Sequence, residues 1–223
     1  MSQPRIRGRY NPTDPVAYGA PIVCPNATTG VLSAHIGTNP GLIAAAAALW
    51  IAPEDRVVDV TYGRGVFWRD LPDQKVEATD LATGVDCRAL PYDAASVDVL
   101  VFDPPYQPTF GKPDRTFGVG RSYRINESHL QTINDVLALY RDGLTEAARV
   151  VRPGGRVMVK TQDLTYNHRL HLVHLDVLRL MATAGFDLVD MFVLVNQSRM
   201  PQPTVRQQRA HRAHSYLLVG VRA

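Results

Sequence analysis

Residues 99–106 read Val-Leu-Val-Phe-Asp-Pro-Pro-Tyr, an apolar run that ends abruptly in an acid and two prolines. Four apolar residues in succession are typical of a strand that is buried on both faces of a sheet. Proline cannot donate a hydrogen bond to a sheet, so the strand has to stop at Asp103. In open α/β sheets, ligands bind outside the carboxyl ends of the strands. The stretch therefore predicts an α/β domain with a ligand site next to Asp103.

Further strands and helices alternate along the chain. Apolar runs predict strands over 56–61, 75–80, 97–102, 156–161, 187–195 and 215–221. Helix formers or helical spacing predict helices over 40–52, 130–148 and 172–181. This alternation indicates a mostly parallel sheet covered on both faces. A loop joins the last two strands, so we expect the final strand to run antiparallel.

The composition favours one globular domain that is neither membrane-bound nor secreted. Hydrophobic residues make up 45% of the 223 residues and charged residues 20%. We find no apolar run of about 18 residues and no signal-peptide core, so a cytoplasmic location without a membrane is expected. Cys24 and Cys87 lack metal-ligand spacing, which predicts neither a metal nor a disulfide framework. Residues 1–30 are expected to form an N-terminal arm and 31–223 the domain.

Basic charge is concentrated in three segments. Residues 1–20, 107–126 and 197–214 each carry net positive charge, so the rest of the chain is net acidic although the whole carries +3. Such an uneven distribution indicates a polyanionic partner, with solvated basic loops as the alternative. The 107–126 segment also mixes aromatic rings with its cations, which is typical of a nucleic-acid grip. We therefore expect 107–126 and 197–214 to be substrate-facing loops.

A glycine-bracketed turn follows the first predicted strand. Asp59-Val-Thr-Tyr-Gly-Arg-Gly65 places an acid at the strand end and then lets the backbone approach a ligand closely. Asp80 ends the next strand, at the position where open α/β sheets hold the ribose of a nucleoside cofactor. Each of these two signals is weak when it stands alone, because a glycine turn after a strand often binds no ligand. Together they indicate a nucleoside site.

The Asp103-Pro-Pro-Tyr106 motif offers two acceptors and a flat ring. The Asp103 carboxylate and the Pro104 carbonyl could accept hydrogen bonds from a planar amine, and Tyr106 could stack on its ring. Read alone, the motif would fit a Pro-Pro turn with a capping aspartate equally well.

Taken together, the two motifs resemble S-adenosylmethionine-dependent amino-methyltransferases of the DPPY type, which modify adenine N6 or cytosine N4. The resemblance extends over residues 31–223, including Arg152-Pro-Gly-Gly155 before a strand and His214-Ser-Tyr-Leu-Leu-Val219 at the close. It implies a single doubly wound, Rossmann-like class I methyltransferase domain with a mostly parallel seven-stranded sheet and an antiparallel last strand. The catalytic residues that it implies are Asp103, Pro104, Pro105 and Tyr106. The implied S-adenosylmethionine-binding residues are Thr38, Asp59, Thr61, Gly63, Gly65, Asp80, Leu81, Asp86 and Cys87.

The sequence departs from the family pattern in two ways. Thr61-Tyr62 replaces the commoner Pro-Phe pair. Only residues 66–102 separate the two motifs, which leaves no room for the large target-recognition insert of many relatives. Recognition is therefore expected from the two loops, or from another subunit. The candidate substrate-binding residues are Phe110, Lys112, Arg115, Arg121, Arg124, Arg206, Arg209 and Arg212.

The function that these observations predict is methylation of adenine N6 in DNA. Cytosine-N4 or RNA-base methylation, a catalytically silent nucleic-acid-binding subunit and a small-molecule methyltransferase stay open, as do a monomer and a homodimer. His168, His171 and His174 are expected on one helix after Tyr166, in surface or packing roles rather than as metal ligands. Lys160 and Asp163, at the end of the fifth predicted strand, fit either a substrate contact or a structural ion pair.

Overall fold

A computed structural model describes residues 30–108, 130–196, 210 and 212–223. The predicted arm and most of the two basic loops lie outside these residues. The boundary between arm and domain therefore stays a prediction. Among the described helices, none is long and apolar enough to cross a membrane.

The core of the fold is one sheet of seven strands. Along the chain, the strands are β1 (Ala34–Gly37), β2 (Val57–Asp59), β3 (Glu77–Ala78), β4 (Val97–Phe102), β5 (Val151–Thr161), the separate hairpin strands β6 (Leu164–Tyr166) and β7 (Arg169–His171), β8 (Phe186–Asn196) and β9 (His214–Arg222). The order across the main sheet is β1-β8-β9-β5-β4-β2-β3. The last strand, β9, runs antiparallel to both of its neighbours, and the other pairs of this sheet are parallel. The predicted mixed sheet with an antiparallel last strand is confirmed.

Helices cover both faces of this sheet. They are α1 (Asn39–Trp50), α2 (Ile133–Val150) and α3 (Val173–Thr183). Alternate residues of β4 face opposite layers: Val99 and Val101 pack with α1, whereas Leu100 and Phe102 pack with α2 and α3. This two-sided burial explains the unbroken apolar run from which Asp103 emerges. The doubly wound prediction is thus confirmed.

Helix α2 fixes the end of β4 by an unusually close approach. A Cβ atom on Gly143 would lie 2.6 Å from Phe102 Cζ, so only glycine leaves room for that ring. The Phe102 ring also meets the Tyr140 ring edge to face, with the ring centroids 5.7 Å apart. Both contacts hold the residue that immediately precedes Asp103 in one position.

One strand at the edge of the sheet was not predicted. Residues 34–37 pair in parallel with β8, with Ala34 opposite Val193. The sequence Ala-His-Ile-Gly is short and carries no apolar run, and none of its residues is fully buried. Ile36 is accordingly exposed. The sheet has seven strands, as predicted, but the seventh is this edge strand, which was not among the strands predicted from the sequence.

The predicted helix after Tyr166 is wrong at its start. Strands β6 and β7 form a hairpin there instead, and α3 begins only at Val173. Asn167 and His168 both have positive φ, as a two-residue hairpin turn requires. His168 and His171 therefore do not share a helix with His174.

Candidate active site

An open cleft lies at the carboxyl ends of β2, β3 and β4. Its volume is about 610 Å³ when the part open to solvent is included. Nine of the residues predicted from sequence line it: Thr61, Gly63, Asp80, Leu81, Asp86, Cys87, Asp103, Pro104 and Pro105. Five lining residues were not predicted, namely Val60, Val85, Arg88, Leu130 and Leu139. The predicted cofactor turn and the Asp-Pro-Pro segment thus meet in one cleft.

The glycine turn forms one wall of the cleft. Gly63 and Gly65 have φ angles of +54° and +63°, a region that side chains other than glycine rarely adopt. A Cβ atom on Gly65 would lie 2.5 Å from the Tyr62 hydroxyl, so the Tyr62 side chain would have to shift to admit it. Only Gly63 lines the cleft, and Gly65 closes the turn by donating its N–H to the Tyr62 carbonyl at 2.9 Å.

Asp59 holds the turn together and is not among the cleft-lining residues. Its Oδ1 accepts the Thr61 N–H at 3.0 Å, and its Oδ2 accepts the indole N–H of Trp68 at 2.8 Å. Burial raises the pKa of Asp59 to about 7, although the Trp68 hydrogen bond opposes the shift. Asp59 therefore supports the cleft from behind its lining, and its predicted contact with the cofactor stays a prediction.

Asp80 lines the cleft and connects the glycine turn to the segment around Thr83. Its Oδ2 accepts the Gly63 N–H at 3.0 Å, and its Oδ1 accepts the Thr83 N–H at 2.9 Å. Each oxygen keeps a further lone pair, since a carboxylate can accept about four hydrogen bonds. A ribose hydroxyl could therefore bind Asp80 without breaking either internal contact.

The third wall carries Asp86, Cys87 and Arg88. Arg88 donates to both oxygens of Asp86, at 2.9 Å from Nε and 2.6 Å from Nη2, and lowers the pKa of that carboxyl. Burial raises the pKa of the Cys87 thiol to about 12, so the thiol is neutral and acts as a small apolar surface. A flat, mostly apolar ring with one polar edge would fit beside these residues.

One side-chain oxygen of Asp103 lacks a hydrogen-bond donor among the described residues. Its backbone N–H donates to the Thr61 hydroxyl at 2.7 Å, which fixes the start of the Asp-Pro-Pro segment. Its Oδ1 is buried and accepts no hydrogen bond from any described residue. Burial raises the pKa of Asp103 to about 6, and the nearby Lys160 partly opposes this. A buried acceptor without a donor is costly, so this atom is suited to receive a hydrogen bond from a ligand.

Two further predicted residues lie outside the cleft lining. Tyr106 is partly buried against the apolar core, and burial together with the Asp103 charge raises its pKa to about 12. Thr38 lies just before α1, where its carbonyl accepts the Leu42 N–H at 3.0 Å. Base stacking by Tyr106 and cofactor binding by Thr38 stay predictions.

The residues predicted to bind substrate fall mostly outside the described residues. This applies to Phe110, Lys112, Arg115, Arg121, Arg124, Arg206 and Arg209. Arg212 is described, and it donates to the Ala210 carbonyl at 3.2 Å rather than lining the cleft. Within the described part of the chain, no cluster of three His, Cys, Asp or Glu side chains could hold a metal ion.

No protein-family model matches the chain, and no curated protein matches it either. Several solved structures do. TrmN from Thermus thermophilus is 22% identical over 82% of this chain and 49% of its own, with a TM-score of 0.47. The cytosine-N4-specific PvuII DNA methyltransferase is 18% identical over 61% and 47%, with a TM-score of 0.44. A second Thermus thermophilus protein, provisionally named a DNA modification methylase and solved with S-adenosyl-L-methionine, is 18% identical over 75% and 55%, with a TM-score of 0.41.

The chain spans about half the length of these three proteins. Identities of 18–22% and TM-scores of 0.41–0.47 are too low to carry an argument about activity. A shared fold also hosts many different reactions. The function has to be argued from the cleft itself.

Proposed function

We propose that this chain transfers a methyl group from S-adenosylmethionine to the exocyclic amine of a nucleic-acid base, with adenine N6 in DNA as the leading substrate. The observation that carries the proposal is the buried, unpaired Oδ1 of Asp103 at the cleft. Two prolines follow it, and the carbonyl of Pro104, which lines the same cleft, would be the second acceptor. A planar amine with two N–H groups is the donor that such a pair fits.

The residues of the cleft fit the cofactor that the sequence resemblance implies. Asp80 would hold the ribose hydroxyls, and Gly63 leaves the backbone free to approach the amino-acid portion. Asp86 and Cys87 would contact the adenine ring, with Leu81 and Val85 supplying apolar surface. When bound, S-adenosylmethionine supplies an electrophilic methyl group on a positively charged sulfur.

The role of Asp103 and Pro104 is to make the target amine a better nucleophile. The lone pair of an exocyclic amine is delocalised into the ring, so the free amine attacks poorly. Hydrogen bonds from its two N–H groups to the Asp103 carboxylate and the Pro104 carbonyl favour the positive charge that develops on nitrogen during attack. As the N–C bond forms, the C–S bond breaks, and the nitrogen afterwards loses one proton. Asp103, whose pKa lies near 6, is placed to accept that proton and pass it to water.

Two features support a base in a polymer over a small molecule. The three basic segments predicted from sequence would pair with phosphates, and the mixture of rings and cations in 107–126 suits an unstacked base. Adenine and cytosine both present an exocyclic amine beside a ring nitrogen. The choice of adenine over cytosine, and of DNA over RNA, rests on the sequence resemblance.

The proposal is tested by identifying the methylated product. Purified protein is incubated with methyl-labelled S-adenosylmethionine and with separate DNA and RNA pools, and the digested nucleosides are identified by mass. We expect N6-methyladenine in DNA; N4-methylcytosine or a labelled RNA nucleoside would reassign the base or the polymer. Asp103→Asn, which keeps the shape but loses the charge, is the control and should give no product. Cofactor binding without labelled nucleoside from either pool would contradict the proposal and favour a silent binding subunit.

A further inference from the structure

Lys160 is a buried lysine that the proposed reaction does not use directly. Only 2% of the residue is exposed, and it is one of the largest fully buried side chains in the described part of the chain. It lies on β5, where Val159 pairs with Phe102 of β4, so Lys160 and Asp103 each come one residue after a paired position. The two residues are therefore neighbours at the carboxyl edge of the sheet.

The Lys160 ammonium group is held by a hydrogen bond but is not paired with a carboxylate of the described residues. Its Nζ donates to the Ser215 hydroxyl at 2.5 Å, and its own carbonyl accepts the Tyr140 hydroxyl at 2.8 Å. Among the described residues, no carboxylate forms an ion pair with Nζ. Moving an ammonium out of water without a counter-ion is expensive, so a protein that keeps one in its interior needs a compensating negative charge nearby.

Asp103 is the negative charge that meets this need. Its Oδ1 is likewise buried and has no donor among the described residues. Lys160 is the charged group that lowers the pKa of Asp103 against the effect of burial, and Asp103 in turn raises the pKa of Lys160 against the same effect. The two charges thus stabilise one another through the protein interior without a direct hydrogen bond between them.

The lack of direct contact has a chemical consequence. A lysine in hydrogen-bond contact with Asp103 would occupy the lone pairs that a substrate amine needs. A cation held back by the Ser215 hydroxyl keeps the carboxylate charged and leaves Oδ1 free to accept. Ser215 and Tyr140 therefore matter because they fix how far Lys160 can reach.

We propose that Lys160 is a positioning residue for the amine-accepting carboxylate, a buried counter-charge that keeps Asp103 ionised while leaving its oxygen available to the target base. This rests on the proposed function for its biological meaning. The electrostatic effect of Lys160 on the ionisation of Asp103 does not depend on which base is methylated. A Lys160 that is neutral in the interior, or whose charge does not act on Asp103, predicts no such effect in the free protein.

The test is the titration of the Asp103 carboxyl carbon, followed by NMR on carbon-13-labelled protein without substrate. Asp103→Asn identifies the signal by its loss. Lys160→Met keeps the length of the side chain and removes its charge, and we expect the midpoint of Asp103 to move upward by about one pH unit or more. Ser215→Ala, which keeps the cation and removes only its anchor, is the matched control and should move the midpoint less.

A folded Lys160→Met protein with an unchanged Asp103 midpoint would overturn the proposal. Lys160→Gln is a second uncharged variant in case the methionine does not fold, and collapse of both would assign Lys160 to folding and also overturn it. Where methyl transfer is measurable, the acidic limb of the rate profile should move with the Asp103 midpoint. If no nucleic-acid base is methylated at all, the proposed function fails while the titration still decides the role of Lys160.

Discussion

The backbone N–H of Asp103 donates a 2.7 Å hydrogen bond to the side-chain hydroxyl of Thr61. This bond joins the ends of β2 and β4, and with them the glycine turn and the Asp-Pro-Pro segment. Thr61 is itself held by Asp59, which accepts its backbone N–H at 3.0 Å. Threonine stands here where the family that the sequence resembles more often has proline, which has no side-chain acceptor. The departure from the family pattern therefore supplies the contact that connects the two halves of the cleft.

Replacing this hydroxyl should loosen the cleft. Thr61→Val keeps the side-chain shape but leaves the Asp103 N–H without its acceptor, so we expect a loss of about 1–3 kcal/mol in the free energy of unfolding. Methyl transfer should also fall, because the Asp103 carboxylate loses its fixed position. Denaturant unfolding and initial rates measure the two effects. Thr61→Ser retains the hydroxyl and should lie close to the wild type; equal losses in both variants would count against the hydrogen bond.

The rate of methyl transfer should depend on the ionisation of Asp103. The protonated carboxyl loses much of its ability to accept from the amine, and its pKa lies near 6. Transfer at substrate concentrations far below saturation, which reports on the free protein, should therefore be constant above about pH 7 and fall as the pH drops through 6. It should be roughly tenfold lower at pH 5, one pH unit below the midpoint. Initial rates from pH 5 to 8 give the profile, and a flat profile would show that the chemistry does not need this carboxylate in its charged form.

The sequence predicted those parts of the site that are defined by a few consecutive residues. Asp103 follows a strand buried on both faces, and Gly63 follows an acid in a turn, so both patterns are visible within a few residues. Trp68 was not predicted, although it donates to Asp59, because it lies in a short 3₁₀ turn without a periodic pattern. Lys160 could be noted at a strand end, but the acceptor of its ammonium group, Ser215, is distant in sequence.

Helix α3 shows why the burial of a segment could be only partly predicted. An apolar repeat has helical spacing here, yet the structure exposes its first two members; the repeat consists of Leu172, Leu175, Leu178 and Met181. The face that packs on the sheet is formed by Val173, Val177 and Met181. Two apolar stripes are present in the same segment, and only the position of the sheet decides between them. The sequence predicts that a helix forms here, but not which of its faces is buried.

The indole of Trp68 should stabilise the chain most at high pH. Burial favours the protonated form of Asp59, so the stability that this residue contributes is present below its unfolded pKa of 3.8 and is lost as the pH rises through about 7. The Trp68 N–H opposes that loss because it favours the charged carboxylate. Trp68→Phe should therefore destabilise the chain by about 1–3 kcal/mol, and by more at pH 8 than at pH 5. Urea unfolding at both pH values measures this.

A second tryptophan provides the control for that experiment. Trp50 donates its indole N–H to Asp190 Oδ2 at 2.9 Å, in a partly buried position on β8, away from the cleft. Trp50→Phe removes the same kind of bond but should show a smaller loss with little dependence on pH, since water can reach its partner. If the two variants respond alike to pH, the buried Asp59 carboxyl is not the cause.

Nucleic-acid binding should weaken steeply with salt if the basic segment 197–214 contacts phosphates. The logarithm of the affinity should then fall linearly with the logarithm of the salt concentration. Replacing Arg206, Arg209 and Arg212 with glutamine should flatten the slope by up to about three phosphate contacts. Filter binding or anisotropy between low and physiological salt measures the slope, with the same number of replacements at the exposed Arg69, Arg141 and Arg179 as the control. An unchanged slope would leave this segment without a role in binding the polymer.

Cofactor binding and chemistry should separate between Asp80 and Asp103. Asp80 accepts the Gly63 and Thr83 N–H groups and lines the cleft, so Asp80→Ala removes a cleft-lining carboxylate, one support of the glycine turn and the cap on Thr83. We expect cofactor affinity to fall by more than about tenfold, or roughly 1.4 kcal/mol, with methyl transfer reduced in consequence.

Asp103→Ala should abolish transfer while leaving cofactor affinity within about tenfold, because its carboxylate is assigned to the target amine. Calorimetric titration with S-adenosylmethionine measures the affinities, and Asp73→Ala, at an exposed loop position, controls for loss of charge. Loss of cofactor binding in a folded Asp103→Ala protein would show that Asp103 belongs to the cofactor and not to the base.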